Sequence, residues 1–369
     1  MIEKNERKAL PKRDMCPDNP DNPDIPDNPP DNLPENPPES PDYVNRDPVV
    51  DGLLGLAIGD AFGVPVEFMS RREVRALDLR DMVGRDTNPG FQGRWTDMIP
   101  SGAWSDDTSM TIAAMSSIIE KKGEIDWEDI MRKFDDWWFR SQYTSLDFPF
   151  GLGSNVSKAM LRHQNGVPAL ECGGKGFRDN GNGALMRMFP FSMYCILHDF
   201  SDSETLSLIR KAAGITHGHE INAMSCYLYT LFLDQCIKLK SPENAYRIIS
   251  DTGRRTEFRH VFSEEAFGAH AQVFELGSRE FNPDSIRESG YVVDSLAVSL
   301  YSILNTQNYE DAVRMAVNFG YDTDTNAAIT GSIAGAMYGK SLIPDRWINT
   351  VRKKDYLIQI GEQFKAVMV

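Results

Sequence analysis

From Val49 onward, apolar residues recur at the three- and four-residue spacing of helices packed on a core, and runs of alternating β-branched residues are few. The pattern predicts an all-α fold, with helices near 49–62, 106–121, 126–140, 153–164, 182–197, 203–214, 219–238, 260–272, 290–304, 307–318, 322–338 and 355–366. Two stretches, Met110 to Ile119 and Ala327 to Met337, are apolar or small on nearly every side. A helix without a polar face has nothing to offer water, so both are expected at the centre of the bundle. One large helical domain over residues 47–369 follows, and no fixed-period repeat divides it.

Residues 1–46 break this pattern. Twelve of the 21 prolines precede Val49, interleaved with Asp and Asn from Pro17 to Pro37. Too little apolar surface is present to offset the entropy of ordering, and prolines at this density favour an extended conformation, so a disordered arm is expected. Ten acidic residues between Asp14 and Asp47 face one basic residue, Arg46. The arm reads either as a solvated tether or as an element, residues 14–47, that enters a basic groove on a partner.

Composition narrows the function. A net charge of −15 argues against nucleic acid or an anionic membrane as main partner, since both need clustered Lys and Arg. The five cysteines include no CxxC pair, so neither a disulfide framework nor a zinc-thiolate site is indicated. No apolar stretch reaches the roughly 18 residues of a membrane span, and the charged N-terminus lacks a signal-peptide pattern. A cytoplasmic location is the expectation.

Two helix starts carry the chemistry. Ser105, Asp106 and Asp107 open an apolar helix, where acidic residues ordinarily cap backbone N–H groups and complement the helix dipole. A metal role needs acidic groups from elsewhere, and Asp322, Asp324 and Thr325 supply them at the start of another apolar helix. Hard oxygen ligands of this kind suit Mg²⁺ or Mn²⁺ and suit zinc poorly. A third segment, Gly55 to Glu67, is a small-residue helix carrying Asp60 that ends near Gly63; Glu67 then projects from a turn or is simply solvated. Gly181-Asn182-Gly183, preceded by Gly173, Gly174 and Gly176, could turn backbone N–H groups toward phosphate or form a plain loop. His217, in Thr216-His217-Gly218-His219-Glu220, lies between two helices where it can touch a substrate.

In order and wording these segments resemble the ADP-ribosylglycohydrolase family: GLLGLAIGDAFGVPVEF at 52–68, WSDDTSM at 104–110, GNGALMRMFP at 181–190, THGHE at 216–220, GYVVDSLAVSLY at 290–301 and GYDTDTNAAITGSIAGAMYG at 320–339. The resemblance spans about 49–340 and implies an all-helical enzyme with two Mg²⁺ ions, Mn²⁺ being possible, held by Ser105, Asp106, Asp107, Asp322, Asp324 and Thr325. It implies hydrolysis of the N-glycosidic bond joining ADP-ribose to a protein side chain, arginine foremost, through an oxocarbenium-like transition state. Asp106, Asp107 and Asp324 would orient the metals, with Glu67 assisting proton transfer or holding ribose. Asn182, Gly183 and His217 would lie along the phosphates and riboses, with Gly151, Gly153 and Tyr321 on the substrate side. Where the family pattern carries an acidic residue in a Phe-Asp-Ile-Gly-like turn, this chain has Phe150-Gly151-Leu152-Gly153, so either Glu67 or Asp147 supplies that carboxylate or the pocket is more open to large protein substrates. Serine-linked or small-molecule ADP-ribose is the alternative substrate. A different role, as immunity protein, would have the arm block an ADP-ribosyltransferase toxin.

Overall fold

The computed structural model describes residues 46–368 except 89, 92, 94, 96, 97 and 252–260. Among the described residues there are fifteen α-helices, joined by short 3₁₀ turns, and no strand. The first eight are α1 (Pro48–Gly63), α2 (Arg71–Leu77), α3 (Asp106–Glu120), α4 (Trp127–Arg140), α5 (Ser154–Gln164), α6 (Phe189–Leu197), α7 (Asp202–Gly214) and α8 (Glu220–Leu239). The remainder are α9 (Pro242–Ser250), α10 (Glu264–Ala269), α11 (Val292–Leu304), α12 (Tyr309–Val317), α13 (Thr323–Tyr338), α14 (Asp345–Thr350) and α15 (Lys354–Met368). All-α architecture is therefore what the periodicity said it would be.

α1 and α13 form the axis of the bundle. Asp47 caps α1 by accepting from the N–H groups of Val49 and Val50, and Pro48 occupies the first turn, where its missing N–H costs nothing. Every residue of α1 after Pro48 is buried, as is every residue of α13 before Tyr338. Neither helix has a side for water. Their mutual face is built of small residues at four-residue spacing, Gly55, Gly59 and Gly63 against Ala327, Gly331 and Gly335. A methyl group on Gly59 would lie 2.1 Å from the Ala327 carbonyl oxygen, and one on Gly331 would lie 2.3 Å from that of Gly55. The two backbones are thus in contact, and Tyr309 of α12 closes the seam by donating its hydroxyl to the Gly55 carbonyl at 2.6 Å. α15 packs on the outside of α1 and α3, while α8 and α11 cover α13 from the other side.

Three expectations need revision. The predicted helix 182–197 is two elements, a single 3₁₀ turn at Asn182–Ala184 and then α6. Pro190 lies in the first turn of α6, the only place in a helix where its ring and missing donor are tolerated, so no continuous helix can run through it. The predicted 260–272 is likewise α10 followed by a 3₁₀ turn at Ala271–Glu275. Three short helices, α2, α9 and α14, come from segments too brief for the periodicity to register. The proline-rich arm lies outside the described residues up to position 45.

The α1–α13 seam sets a stability test. At an open helical position, Gly→Ala gains up to ~1 kcal/mol. Gly268 on α10, where an added methyl would meet nothing within 4 Å, should show that gain in urea unfolding. Gly59→Ala should reverse the sign and lose about 1–3 kcal/mol through overpacking; equal behaviour of the two variants would contradict backbone contact.

Candidate active site

The acidic pair at the start of α3 is not spent on capping its own helix. Asp60, fully buried three residues before the end of α1, does that work from outside. Its carboxylate accepts from the Ser105 N–H at 2.9 and 3.0 Å, from the Thr108 N–H at 3.0 Å and from the Thr108 hydroxyl at 2.7 Å. Asp106 and Asp107 are left to face the interior. One oxygen of Asp107, Oδ2, accepts from the Ser105 hydroxyl at 3.1 Å and sits 3.5 Å from that of Thr325. The other, Oδ1, is buried without a hydrogen-bond partner.

The second helix start is brought against the first by Gly63. A methyl group there would lie 2.4 Å from the Asp324 Cα, so only glycine lets α13 begin beside the end of α1. Asp322 makes no side-chain cap bond and accepts instead from the Asn182 amide at 2.9 Å. The same amide also donates to Ser295 at 2.9 Å, which fixes the 3₁₀ turn at 182 against α11. Oxygens of Asp60, Asp107 and Asp324 lie within 4.8 Å of one another, and so do those of Glu67, Asp322 and Asp324. Asp324 belongs to both groups.

Burial pushes Asp106, Asp107 and Asp324 well above the usual carboxylate range, and repulsion from their neighbours, Asp60 and Glu67 among them, adds to it. Asp60 is raised by burial to about 6, its hydrogen bonds from Thr108 and Ser105 working the other way. No Lys or Arg among the described residues lines this cavity. Such a cluster either holds protons or binds a cation. The unpartnered Asp107 Oδ1, the hydroxyls of Ser105 and Thr325 and the all-oxygen donor set fit a hard divalent ion.

Glu67, Asp106, Asp322, Asp324 and Thr325 form the floor of a cavity of about 180 Å³ lined also by Phe68, Gly151, Gly153, Asn155, Asn182, Gly183 and His217. Ser154, Asn155 and Gly181 join it to a larger groove of about 750 Å³ bearing Lys158, Arg178 and Arg287. Gly151 has φ +93°, and a methyl group on it would lie 2.2 Å from Asp106 Oδ1, so a side chain at 151 would displace that carboxylate. Of the two carboxylates expected to stand in for one at 151, Glu67 lines the cavity and bonds the Trp95 indole N–H. Asp147 is exposed and outside it. Tyr321 is on the rim rather than in the cavity, its ring edge-on to Phe68 at 5.3 Å. Both residues adopt positive φ, 61° and 66°. His217 is buried, its Nδ1 2.9 Å from the Thr216 hydroxyl; burial, with the Arg187 charge adding to it, lowers it to about 3, so it is neutral.

The structure thus brings together every residue assigned from sequence to metal or catalysis, with Asn182, Gly183, His217, Gly151 and Gly153 around them. Asp60 was underused by the sequence reading. Its signal was available, an acidic residue far from the capping turn of a helix otherwise apolar or glycine after Asp51.

The raised carboxylates give a linkage prediction. In the folded chain they favour the protonated form, so the stability they contribute is present below the unfolded value of about pH 4 and is lost as pH rises through the native values. Metal-free protein should therefore melt at higher temperature near pH 5.5 than near pH 8, and Mg²⁺ should raise the melting temperature more at pH 8. Asp107→Asn should shrink both differences in parallel scanning calorimetry; pH-independent increments would refute the assignment.

Comparison with known proteins adds an independent line. An ADP-ribosylglycohydrolase family model matches residues 40–369. An ADP-ribosylarginine hydrolase, Tri1, of Serratia proteamaculans is 30% identical, over 88% of this chain and 80% of its own length. The ADP-ribosyl-[dinitrogen reductase] glycohydrolase of Rhodospirillum rubrum is 29% identical, over 84% of this chain and 92% of its own length. The solved structure of an ADP-ribosylglycohydrolase-related protein complex superposes with a TM-score of 0.69 at 27% identity, covering 88% of this chain and 98% of that one. Motif order, all-helical fold and paired acidic helix starts agree with these matches, and the chain belongs to the ADP-ribosylglycohydrolase family.

Proposed function

We propose that the protein is a magnesium-dependent hydrolase that removes ADP-ribose from modified arginine side chains of proteins. The observation that carries the reading is the pair of buried acidic helix starts, with Asp107 Oδ1 lacking any hydrogen-bond donor. Arginine is supported by the Serratia proteamaculans relative, whose name gives that linkage. It is supported too by charge, since a cationic leaving group suits a cavity floored by carboxylates.

In the reaction, water adds to C1″ of the distal ribose while the bond from C1″ to the guanidine nitrogen breaks, giving ADP-ribose and unmodified arginine. Ser105, Asp106, Asp107, Asp322, Asp324 and Thr325 would hold two divalent cations, which would supply positive charge to water and ribose hydroxyls. The chain's own groups do the rest. Carboxylates around C1″ favour the oxocarbenium character that develops there. Glu67, opposite Asp324, takes the proton from the incoming water or holds a ribose hydroxyl. His217 offers an N–H donor to substrate oxygens, Asn182 holds Asp322 in place through its amide, and Phe68 with Tyr321 walls the entrance.

The acidic arm supports a second activity. With ten acidic residues between 14 and 47, it suits a basic cleft such as the nucleotide site of an ADP-ribosyltransferase, and would make the protein an immunity factor as well as a hydrolase. Removing residues 1–46 should then spare hydrolysis while weakening capture of such an enzyme; undiminished capture would rule the arm out.

The central test is a linkage-resolved assay with arginine-linked, serine-linked and small-molecule substrates, after chelation and with Mg²⁺ or Mn²⁺ returned. Free ADP-ribose should appear from the arginine linkage only with metal, and Asp107→Ala should lower kcat by about 100-fold or more. Full activity in that variant would sink the metal assignment, and release from serine alone would sink the linkage.

A further inference from the structure

Arg187 is completely buried and forms no ion pair among the described residues. Its guanidinium donates one N–H group to the Ala212 carbonyl at 3.1 Å and to the Thr216 hydroxyl at 2.6 Å, and lies 5.3 Å from the Phe134 ring centre. The Nε and Nη1 atoms have no partner. Burial lowers it to about 10, which leaves it charged at neutral pH. An uncompensated buried cation is costly, and a purely structural role would be better served by an apolar residue.

What it touches gives it a use. The Thr216 side chain is fully buried, and the large majority of buried hydroxyls find a partner for their proton. Arginine has donors only, so the Thr216 oxygen accepts from Arg187 and its single proton has to go elsewhere. Among the described residues its one other side-chain partner is His217 Nδ1, at 2.9 Å. That nitrogen must therefore carry the lone pair, and the proton of the neutral ring sits on Nε2. His217 lines the catalytic cavity, and its Nε2 has no hydrogen-bond partner among the described residues.

We propose that Arg187 and Thr216 are positioning residues that fix His217 in the Nε2–H tautomer, aimed into the cavity as a neutral donor to an oxyanion of the ADP-ribose diphosphate. The choice of ligand rests on the function proposed above; the tautomer rests on donor accounting alone. The buried charge polarises the relay outward, since Arg187 draws electron density from the hydroxyl that in turn donates to the ring, and this strengthens the Nε2–H donor. The arrangement delivers part of a positive potential to the diphosphate without placing a titrating cation beside the carboxylates.

The test has two arms. In full-length protein labelled with ¹⁵N-histidine at pH 7, the His217 signal, assigned by its loss in His217→Gln, should show Nε2 protonated and Nδ1 bare. Protonation at Nδ1 in the unmodified protein would overturn the relay whatever the enzyme's activity. Calorimetry with ADP-ribose and Mg²⁺ then reads the consequence. Thr216→Val, and Arg187→Met separately, should weaken binding about tenfold, the size of one charge-assisted hydrogen bond, and give a mixture of tautomers. Thr216→Ser, which keeps the hydroxyl, should restore affinity and tautomer. A Thr216→Val protein that is folded by circular dichroism, binds ADP-ribose normally and keeps the single tautomer would also overturn the proposal. If the unmodified protein fails to bind ADP-ribose, the functional reading falls while the ¹⁵N result still decides the relay.

Discussion

The contact between the backbones of α1 and α13 is the constraint on which the rest depends. Ordinary helices pack with axes about 8–10 Å apart because side chains stand between them. Here rows of glycine and alanine remove those side chains, and a methyl group on Gly335 would lie 2.4 Å from the Asp51 carbonyl oxygen. The cost is conformational: each glycine in a helix interior forfeits up to ~1 kcal/mol relative to alanine. What is gained is register. Asp60 near the end of α1 and Asp324 in the first turn of α13 come within reach of one another only because Gly63 lets the two helix termini overlap. A normal separation would leave two isolated acidic groups instead of one site.

Charge follows from that geometry. Helix N-termini attract anions, so a pair of them is an unpromising place for a cation unless carboxylates outnumber the positive dipole ends. Asp60 resolves part of the conflict. By capping α3 from a neighbouring helix it satisfies the Ser105 and Thr108 N–H groups with one buried carboxylate, and leaves Asp106 to line the cavity with Asp107 buried beside it. The arrangement strains the fold when no cation is bound, which is the usual relation between a site built for chemistry and the stability of its scaffold.

How much of this the sequence disclosed depends on the range of the interaction. Local signals were legible: apolar periodicity gave most of the long helices, and two acidic clusters before apolar runs gave the metal candidates. Signals that contradict periodicity were also present, and Pro190 could have shown that 182–197 is not one helix. Tertiary consequences were not legible. Nothing in the local sequence says that Asp60 caps a helix 45 positions later, or that Gly151 is required by the Asp106 carboxylate rather than by a turn alone. The absence of an acidic residue at 151 read as a departure that Glu67 or Asp147 could make good; the structure shows the space already filled, with Glu67 on the same cavity and Asp147 turned to solvent.

The site is polar from end to end, and its polarity bears on how a substrate lies in it. Glu67, Asp106, Asp322 and Asp324 make one end negative; Lys158, Arg178 and Arg287, the last paired with Asp294, line the adjoining groove with Glu265, and the Arg187 charge is buried behind His217. A molecule that is anionic in its diphosphate and becomes cationic at C1″ matches that field in one orientation only. Reversal would set phosphate against carboxylate and leave the developing positive charge near arginine. Placing the acidic groups in the cavity and the basic ones in the adjoining groove therefore does what a collection of hydrogen bonds would do less economically. It selects the direction of binding before any specific contact forms, and leaves a neutral donor such as His217 to set the final register.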